Sequence, residues 1–456
     1  MRNKTIKRKT GIMLPKTKKP LLKTILFAMI AGLTIIPVYH VTKVNADVQP
    51  SVKIISPATS SLTQGKVALS FKVDGLSSDR YEPFWAVDDG QWNRMSITNG
   101  VSIDVIDTTG WNWKTDNSYT FSFIALKKEN WQPIIEKRTI TINPQVPITV
   151  AEPAVTIPAQ LPVNTAPVAS LYVDPQSDAQ LKAKAWALSH PEDSGVLNKL
   201  ISQPLANWYG GWNQDVAYDV SSYVTRATQA GQIPVLVAYN IPHRDCGSYS
   251  AGGVSDKQAY ANWIAQFAKG IGNRSAIVLL EPDALAGTDC LSGDAQAERK
   301  EMLRSAVKTL KALTGVKVYL DAGHPEWHGT NLMATRLKQA GVEEADGFSL
   351  NVSNFVSTDK NIAYGTELSA RTNNAHFVID TSRNGSGSAP NNEWCNPSGV
   401  RVGVNPTLVT GNTLVDAYLW VKAPGGSDGT CGSNQRGTNA PAAGEWWPQY
   451  ALSVLR

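Results

Sequence analysis

Three aspartates, Asp245, Asp283 and Asp321, recur at an interval of 38 residues in the second half of the chain. A fourth, Asp428, lies in the run Gly425-Gly426-Ser427-Asp428-Gly429. Carboxyl groups gathered in one cleft can share the work of hydrolysing a glycosidic bond. One, protonated, donates to the leaving oxygen; another, ionised, activates water or attacks the sugar. Asp283 is the best candidate acid. It follows an apolar run, beside Pro282, where desolvation and neighbouring carboxylates should raise its pKa. Asp245 and Asp428 are candidates for holding the water or supplying the negative partner. The glycine loop around Asp428 suits a residue that closes over substrate. A single aspartate at a strand end is more commonly a helix cap, but four in one mouth favour catalysis.

The elements that would gather them are apolar runs, each ending in polar residues. Pro234–Ala238 runs into Tyr239 and His243-Arg244-Asp245, Ala276–Leu280 into Glu281-Pro282-Asp283, and Val316–Leu320 into Asp321-Ala322-Gly323-His324. Phe348–Leu350 ends in Asn351, Phe377–Ile379 in Asp380, and Ala417–Val421 in Lys422. Amphipathic stretches separate most of them. Ser255–Ile271 reads as a helix opened by a Ser255/Gln258 capping box, and Gln296–Leu313 as a second. With a helix near Gln180–Leu188 and a strand near Leu205–Tyr209, about seven strands are expected. The pattern predicts an α/β fold: a distorted, TIM-like parallel β/α barrel, incomplete at seven strands, with its site at the C-terminal strand ends.

The same mouth should carry groups suited to sugars. Trp208, Trp212, Trp327, Trp394, Trp446 and Trp447 fall in expected loops or at strand ends, and Asn351, Asn354, Lys422 and His324 can hydrogen-bond hydroxyls. Asp321, His324 and His328 offer a rival reading as metal ligands, with the histidines four apart. Pro325 argues against a regular helix there, and no metal or cofactor is expected. There is no G-x-S-x-G elbow, Walker loop or G-x-G-x-x-G fingerprint.

The first 46 residues hold ten Lys/Arg and no acid, then an apolar run through Ile25–Val38. This reads as a signal peptide cleaved after Ala46, with Val44 and Ala46 at its −3 and −1 positions. The expected product is secreted and not membrane-bound. Without the leader, 33 basic side chains face 38 acidic ones, a net charge near −5, so a charge-based nucleic-acid role loses its basis. Residues 47–145 have an all-β texture, read as an immunoglobulin-like sandwich. Trp85, Trp92, Trp111, Trp113 and Trp131 raise the option of carbohydrate binding there. Residues 146–167 are proline-rich and read as a linker that could span up to about 60 Å. Residues 168–456 form the barrel. The four cysteines allow three pairings, of which Cys246–Cys290 with Cys395–Cys431 is the most local; no C-x-x-C pair supports zinc.

Val237-Ala238-Tyr239-Asn240-Ile241-Pro242-His243-Arg244-Asp245-Cys246 resembles the first signature of glycoside hydrolase family 6, the inverting endoglucanases and cellobiohydrolases. Leu280-Glu281-Pro282-Asp283 resembles the second. Leu320–His324, Asp380–Gly385, Asn392–Cys395 and Trp420-Val421-Lys422 continue in family order, so the match covers nearly all of Val168–Arg456. The resemblance implies a seven-stranded distorted barrel that cleaves β-1,4-glucosidic bonds of cellulose or a related glucan. It implies Asp283 as general acid, Asp245 as the aspartate that raises the acid's pKa and helps order the water, and Asp428 as the proposed base. It implies Asp321 as a supporting aspartate and Tyr239 as the ring that distorts the reactive sugar. Trp208, His324, Trp327, Trp394 and Lys422 match sugar contacts, and the cysteines match the local pairing. The family often carries a glutamate where this chain has Gly426. The short spans between paired cysteines favour an open groove and internal cleavage over a cellobiohydrolase tunnel. The chain is expected to act as a monomer.

Overall fold

The computed structural model describes residues 50–143 and 170–456, apart from 59–60, 64, 75–79, 89, 96, 99, 109–110, 112–113, 131, 248–249, 391–392 and 432–439. The expected signal peptide and linker lie outside the described residues, as do Trp113 and Trp131.

Seven parallel strands form the larger sheet: β1 (Asn207–Tyr209), β2 (Val235–Ala238), β3 (Ala276–Leu280), β4 (Val316–Asp321), β5 (Gly347–Leu350), β6 (His376–Asp380) and β7 (Val415–Leu419). They are neighbours in chain order. β2, β3, β5 and most of the others are buried along their length, which is why they read as apolar runs and do not alternate with polar residues. Two different layers bury the two faces. Val235, Val237, Ile277, Leu279, Tyr319, Val378, Ala417 and Leu419 pack together inside the curl of the sheet. Leu236, Val278, Val318, Leu320, Phe348 and Ile379 pack outward against Val220, Ile264, Phe267, Leu303, Val307 and Leu337 of the surrounding helices. The strand period of two then sets the direction of the residues at the strand ends. Tyr239, Glu281, Asp321 and Asp380 fall on the inward parity.

No ladder joins β1 to β7 among the described residues, so the barrel is incomplete, as expected. The gap is laced by Ala206 N–H donating to the Trp420 carbonyl at 3.0 Å and by the Trp208 indole donating to the Val421 carbonyl at 2.9 Å. The last strand is displaced from its expected place: it is Val415–Leu419, and Trp420 and Val421 supply that lacing instead. The Lys257–Ile271 helix starts two residues later than expected, because the Asp256 carboxylate caps the Ala259 N–H while Ser255 bonds to Asp256. Aspartate and serine are comparable caps, so the sequence alone does not decide between them.

The N-terminal segment folds as two facing sheets. One has the order Ser51–Ser56, Lys66–Asp74, Val101–Asp107, Ile97–Thr98; the other has Ser61–Thr63, Pro133–Asn143, Ser118–Lys127, Tyr81–Val87, Asn93–Arg94. Phe71 and Phe123 meet edge-on across the core at 5.2 Å. Val101–Asp107 forms a strand without a clean apolar–polar alternation. Both its faces are covered, Ile106 by the sandwich core and Val101 by a helix, and this blurs the alternation. That helix is Asp178–Ser189 of the barrel domain. Ala179, Ala183 and Trp186 share a cluster with Val101, and Lys66 pairs with Asp178 at 2.6 Å. The sandwich therefore packs directly on the barrel domain.

Trp186 lies at the centre of this shared cluster, 1% exposed, with its indole bonded to Asp193 at 3.0 Å. Trp186→Ala is expected to cost about 3–5 kcal/mol of stability. Thermal unfolding checks this, and an unchanged midpoint would contradict a shared core.

Candidate active site

The mouth is built on buried carboxylates that accept backbone N–H groups from neighbouring strand ends. Glu281, after β3, accepts from Asn240 at 2.9 and 3.0 Å and from Ile241 at 3.1 Å, just past β2. Asp321, ending β4, accepts from Asp283 N–H at 2.9 Å, Gly323 N–H at 3.1 Å and the Ser349 hydroxyl at 3.0 Å. Asp380, ending β6, accepts from Ser353 and Ser382 at 2.9 Å and from Val421 and Lys422 at 3.2 Å. Burial raises the proton affinity of all three, and their donors pull it back.

Asp283 differs from these. Its backbone is pinned to Asp321, yet no described donor reaches its carboxyl. The group keeps a partial opening to solvent, but protein encloses it on most sides. Burial is the largest cause of a pKa raised to about 8, followed by repulsion from Asp321 and Asp245; Lys422 acts weakly in the opposite sense. In the Asp283–Asp321 pair the proton resides on Asp283, because the donors around Asp321 favour its charged form.

Asp245 receives the Ser250 N–H at 2.7 Å. Arg244 donates to the carbonyls of Tyr239 at 2.5 Å, Ser250 at 2.8 Å and Ala251 at 3.2 Å, and its guanidinium lies 4.2 Å over the Tyr239 ring. Trp208 meets the same ring edge-on at 5.2 Å. Burial keeps the Tyr239 phenol protonated. His324 is driven down to about 4 by burial, so its imidazole is neutral near pH 7, and its Nδ1 has no described partner. Trp327, 39% exposed, lies 5.7 Å from His324. Asn354 donates to the Val352 carbonyl at 3.0 Å, and Trp394 is 41% exposed beside the Cys395–Cys431 bridge.

Asp428 corrects the expectation of a residue on a loop free to swing. Arg383 Nη1 reaches both its oxygens, at 3.0 and 2.9 Å, Lys422 lies at 3.2 Å, and Asp428 and Asn396 exchange hydrogen bonds of 2.8 and 2.9 Å. Burial alone would raise its pKa, but Arg383 and Lys422 outweigh burial and hold the carboxyl below its ordinary value.

Not every expected residue joins the mouth. Trp446 is buried in the cluster with Trp186, its indole bonded to the Pro424 carbonyl at 3.1 Å. Trp447 packs on Tyr450. The metal reading also fails on geometry. His328 Nε2 lies 2.8 Å from the Ala286 carbonyl and 3.2 Å from the Arg336 guanidinium, a cation where a metal would have to sit. Arg383 lies within the Asp380–Gly385 motif, where nothing local marks it for a role. Only its pairing with Asp428, 45 residues away, reveals one.

The two disulfides, Cys246–Cys290 and Cys395–Cys431, have the local pairing. The first joins the loops of Asp245 and Asp283; the second closes the loop of Asp428.

A carboxyl whose folded pKa lies above its unfolded value binds more protons in the native state. Its contribution to stability is present at low pH and is lost as pH rises from about 4 to about 8. Asp283→Asn is therefore expected to gain stability relative to the parent as pH rises through that window. Parallel melting curves from pH 4 to 8 would count against a protonated Asp283.

Residues 167–456 match the model of Glycosyl hydrolases family 6. Endoglucanase A of Cellulomonas fimi is 44% identical over 293 residues, 64% of this chain and 62% of that protein. Endoglucanase 1 of Streptomyces halstedii is 42% identical over 308 residues, covering 65% and 92%. The solved structure of the endoglucanase Cel6 from Mycobacterium tuberculosis, bound to a thio-cellobioside, aligns with a TM-score of 0.59 at 45% identity, covering 63% and 97%. This chain spans less than two thirds of the first of these relatives. With the family model covering more than half of the chain, the protein belongs to glycosyl hydrolase family 6.

Proposed function

We propose that the protein is an endo-β-1,4-glucanase acting on cellulose or a related glucan by a single inverting displacement. The observation that carries the reading is Asp283: a carboxyl without a described donor, whose pKa is raised by burial and by Asp321 and Asp245. Asp283 donates its proton to the leaving glycosidic oxygen as the C1–O bond breaks. A water attacks C1 from the opposite face and surrenders a proton on the side of Asp245. Asp428, tied to Arg383 and Lys422, is a weak proton acceptor. Its fixed charge suits orientation of the water or electrostatic support better than direct proton removal. Tyr239, with Trp208 at its edge and Arg244 over its face, presses on the reacting sugar, and His324, Trp327, Asn354, Trp394 and Lys422 supply the contacts beyond it.

Internal cleavage is supported by the short spans closed by the two disulfides and by relatives named endoglucanase. Export, with loss of residues 1–46, is supported by the basic–apolar leader and the paired cysteines. We read the N-terminal sandwich as an immunoglobulin-like structural module. Two of its tryptophans serve its own packing: Trp111 stacks on Phe121 and lies tilted against Tyr119, and Trp85 bonds to Asp104 at 2.8 Å.

Asp283→Ala should lower kcat on carboxymethyl cellulose by at least about a hundredfold while the fold survives. Activity near that of the parent would sink the assignment. NMR of the first products should show the α-anomer, and an initial β-anomer would replace inversion by a double displacement. A fall in viscosity that outruns release of reducing sugar marks internal cleavage; the reverse marks a cellobiohydrolase.

A further inference from the structure

The loops that carry Asp245 and Asp283 follow different strands, and each is conformationally strained. His243, Asp245, Cys246, Glu281 and Asp283 have φ values of 54°, 50°, 51°, 51° and 67°. Such left-handed backbone in non-glycine residues persists only where the surroundings hold it. Two ties join these loops. The Cys246–Cys290 disulfide links them at exposed positions. The other tie is internal. Arg299, on the helix Gly293–Lys311, is 2% exposed. Its Nη2 donates to the carbonyls of Pro242 and His243, both at 2.8 Å, and its Nη1 reaches the Ala284 carbonyl at 3.4 Å. Pro242 and His243 precede Asp245; Ala284 directly follows Asp283. One guanidinium therefore grips both loops at the root of their carboxyl groups.

The chemistry of the side chain fits this task. A buried cation is costly unless paired and hydrogen-bonded. Here three carbonyl dipoles and the nearby Glu281 carboxyl offset part of that cost, although burial still holds the guanidinium below its ordinary pKa. The guanidinium holds its donors in a rigid planar fork, so two carbonyls on one loop and one on the other are fixed relative to each other. An ammonium is a point charge on a flexible stem and can satisfy one side without setting the distance to the other.

We propose that Arg299 is a positioning residue that sets the spacing of the Asp245 and Asp283 carboxyls without touching substrate. The proposal rests on the reading of Asp283 as the acid and Asp245 as its charged neighbour. That neighbour raises the proton affinity of Asp283 only while the two stay close. Loosening the spacing therefore lowers the pKa at which the acid is lost and misplaces it against the leaving oxygen. Substrate binding, carried by Trp208, Trp327 and Lys422 on other loops, is affected little.

The experiment measures kcat, KM and the pH–rate profile on carboxymethyl cellulose for the full chain, Arg299→Lys and the double variant Cys246→Ser/Cys290→Ser. Asp283→Ala is measured alongside. Arg299→Lys is expected to lower kcat about a hundredfold, the scale of a misplacement near 1 Å. Its KM should stay within about twofold, and the alkaline limb of its profile should move to lower pH. The double variant should keep kcat and the alkaline limb of the parent, because the inner tie is intact. An Arg299→Lys enzyme with unchanged kcat, or with reduced kcat and an unmoved alkaline limb, overturns the proposal. So does a double variant that shows the loss expected of Arg299→Lys. If Arg299→Lys does not fold, the double variant still decides: retained kcat and limb support the inner tie, and their loss assigns the spacing to the disulfide. Full activity in Asp283→Ala would instead remove the reading of Asp283 on which the proposal stands, a result distinguishable from either.

Discussion

Backbone N–H groups at the ends of parallel strands have no next residue of the ladder to bond, and in this barrel they face a buried mouth. An unpaired buried amide is costly, and so is a buried carboxylate. The structure sets one cost against the other. Glu281, Asp321 and Asp380 take donors from adjacent strands and their loops, so that β3 is tied to β2, β4 to β3 and β5, and β6 to β5 and β7. These ties place the Asp283 backbone against Asp321 and hold Lys422 beside Asp380. The catalytic candidates therefore sit on a polar lattice of buried carboxyls.

The lattice also separates the carboxyls electrostatically. Four aspartates of identical intrinsic acidity meet different surroundings. Asp321 and Asp380 are surrounded by donors, which offset part of the rise that burial causes. Asp428 is paired with two cations, which favour its charge more strongly. Asp283 has burial and like charge without a donor, and it keeps its proton. A protonated Asp283 and an ionised Asp428 can thus coexist at neutral pH within one small mouth.

The N-terminal sandwich follows a simpler rule. Each of its sheets has an outer face to cover or expose. The helix Asp178–Ser189 covers that of the four-stranded sheet, with Val101 and Ile103 joining Ala179 and Trp186 in a cluster that also takes in Trp420 and Trp446. Two tryptophans that read from the sequence as candidate sugar platforms in the C-terminal part serve packing: Trp446 lies in the shared cluster, and Trp447 packs on Tyr450 in a separate one. Flat aromatic rings serve packing and stacking equally well, and only their neighbours distinguish the two uses.

The sequence by itself determined the strands, their order and the inward carboxylates. Apolar runs of Val, Leu and Ile mark strands buried on both faces, and the period of two carries Asp321 and Asp380 inward once Tyr319 and Val378 are in the core. It left three cysteine pairings open, of which the family resemblance implied the local one found here, and it offered Asp283 as a candidate acid from its place after a buried strand. It left the end of the last strand and the cap of the Lys257–Ile271 helix open, because neighbouring residues there have similar local preferences. The tertiary structure alone decided which groups meet. The Arg383–Asp428 pair, the three carbonyls under Arg299 and the docking of the sandwich join residues 45, 57 and over 70 positions apart. No local pattern encodes such contacts, since they arise only when the sheet curls and brings separate strand ends to one mouth.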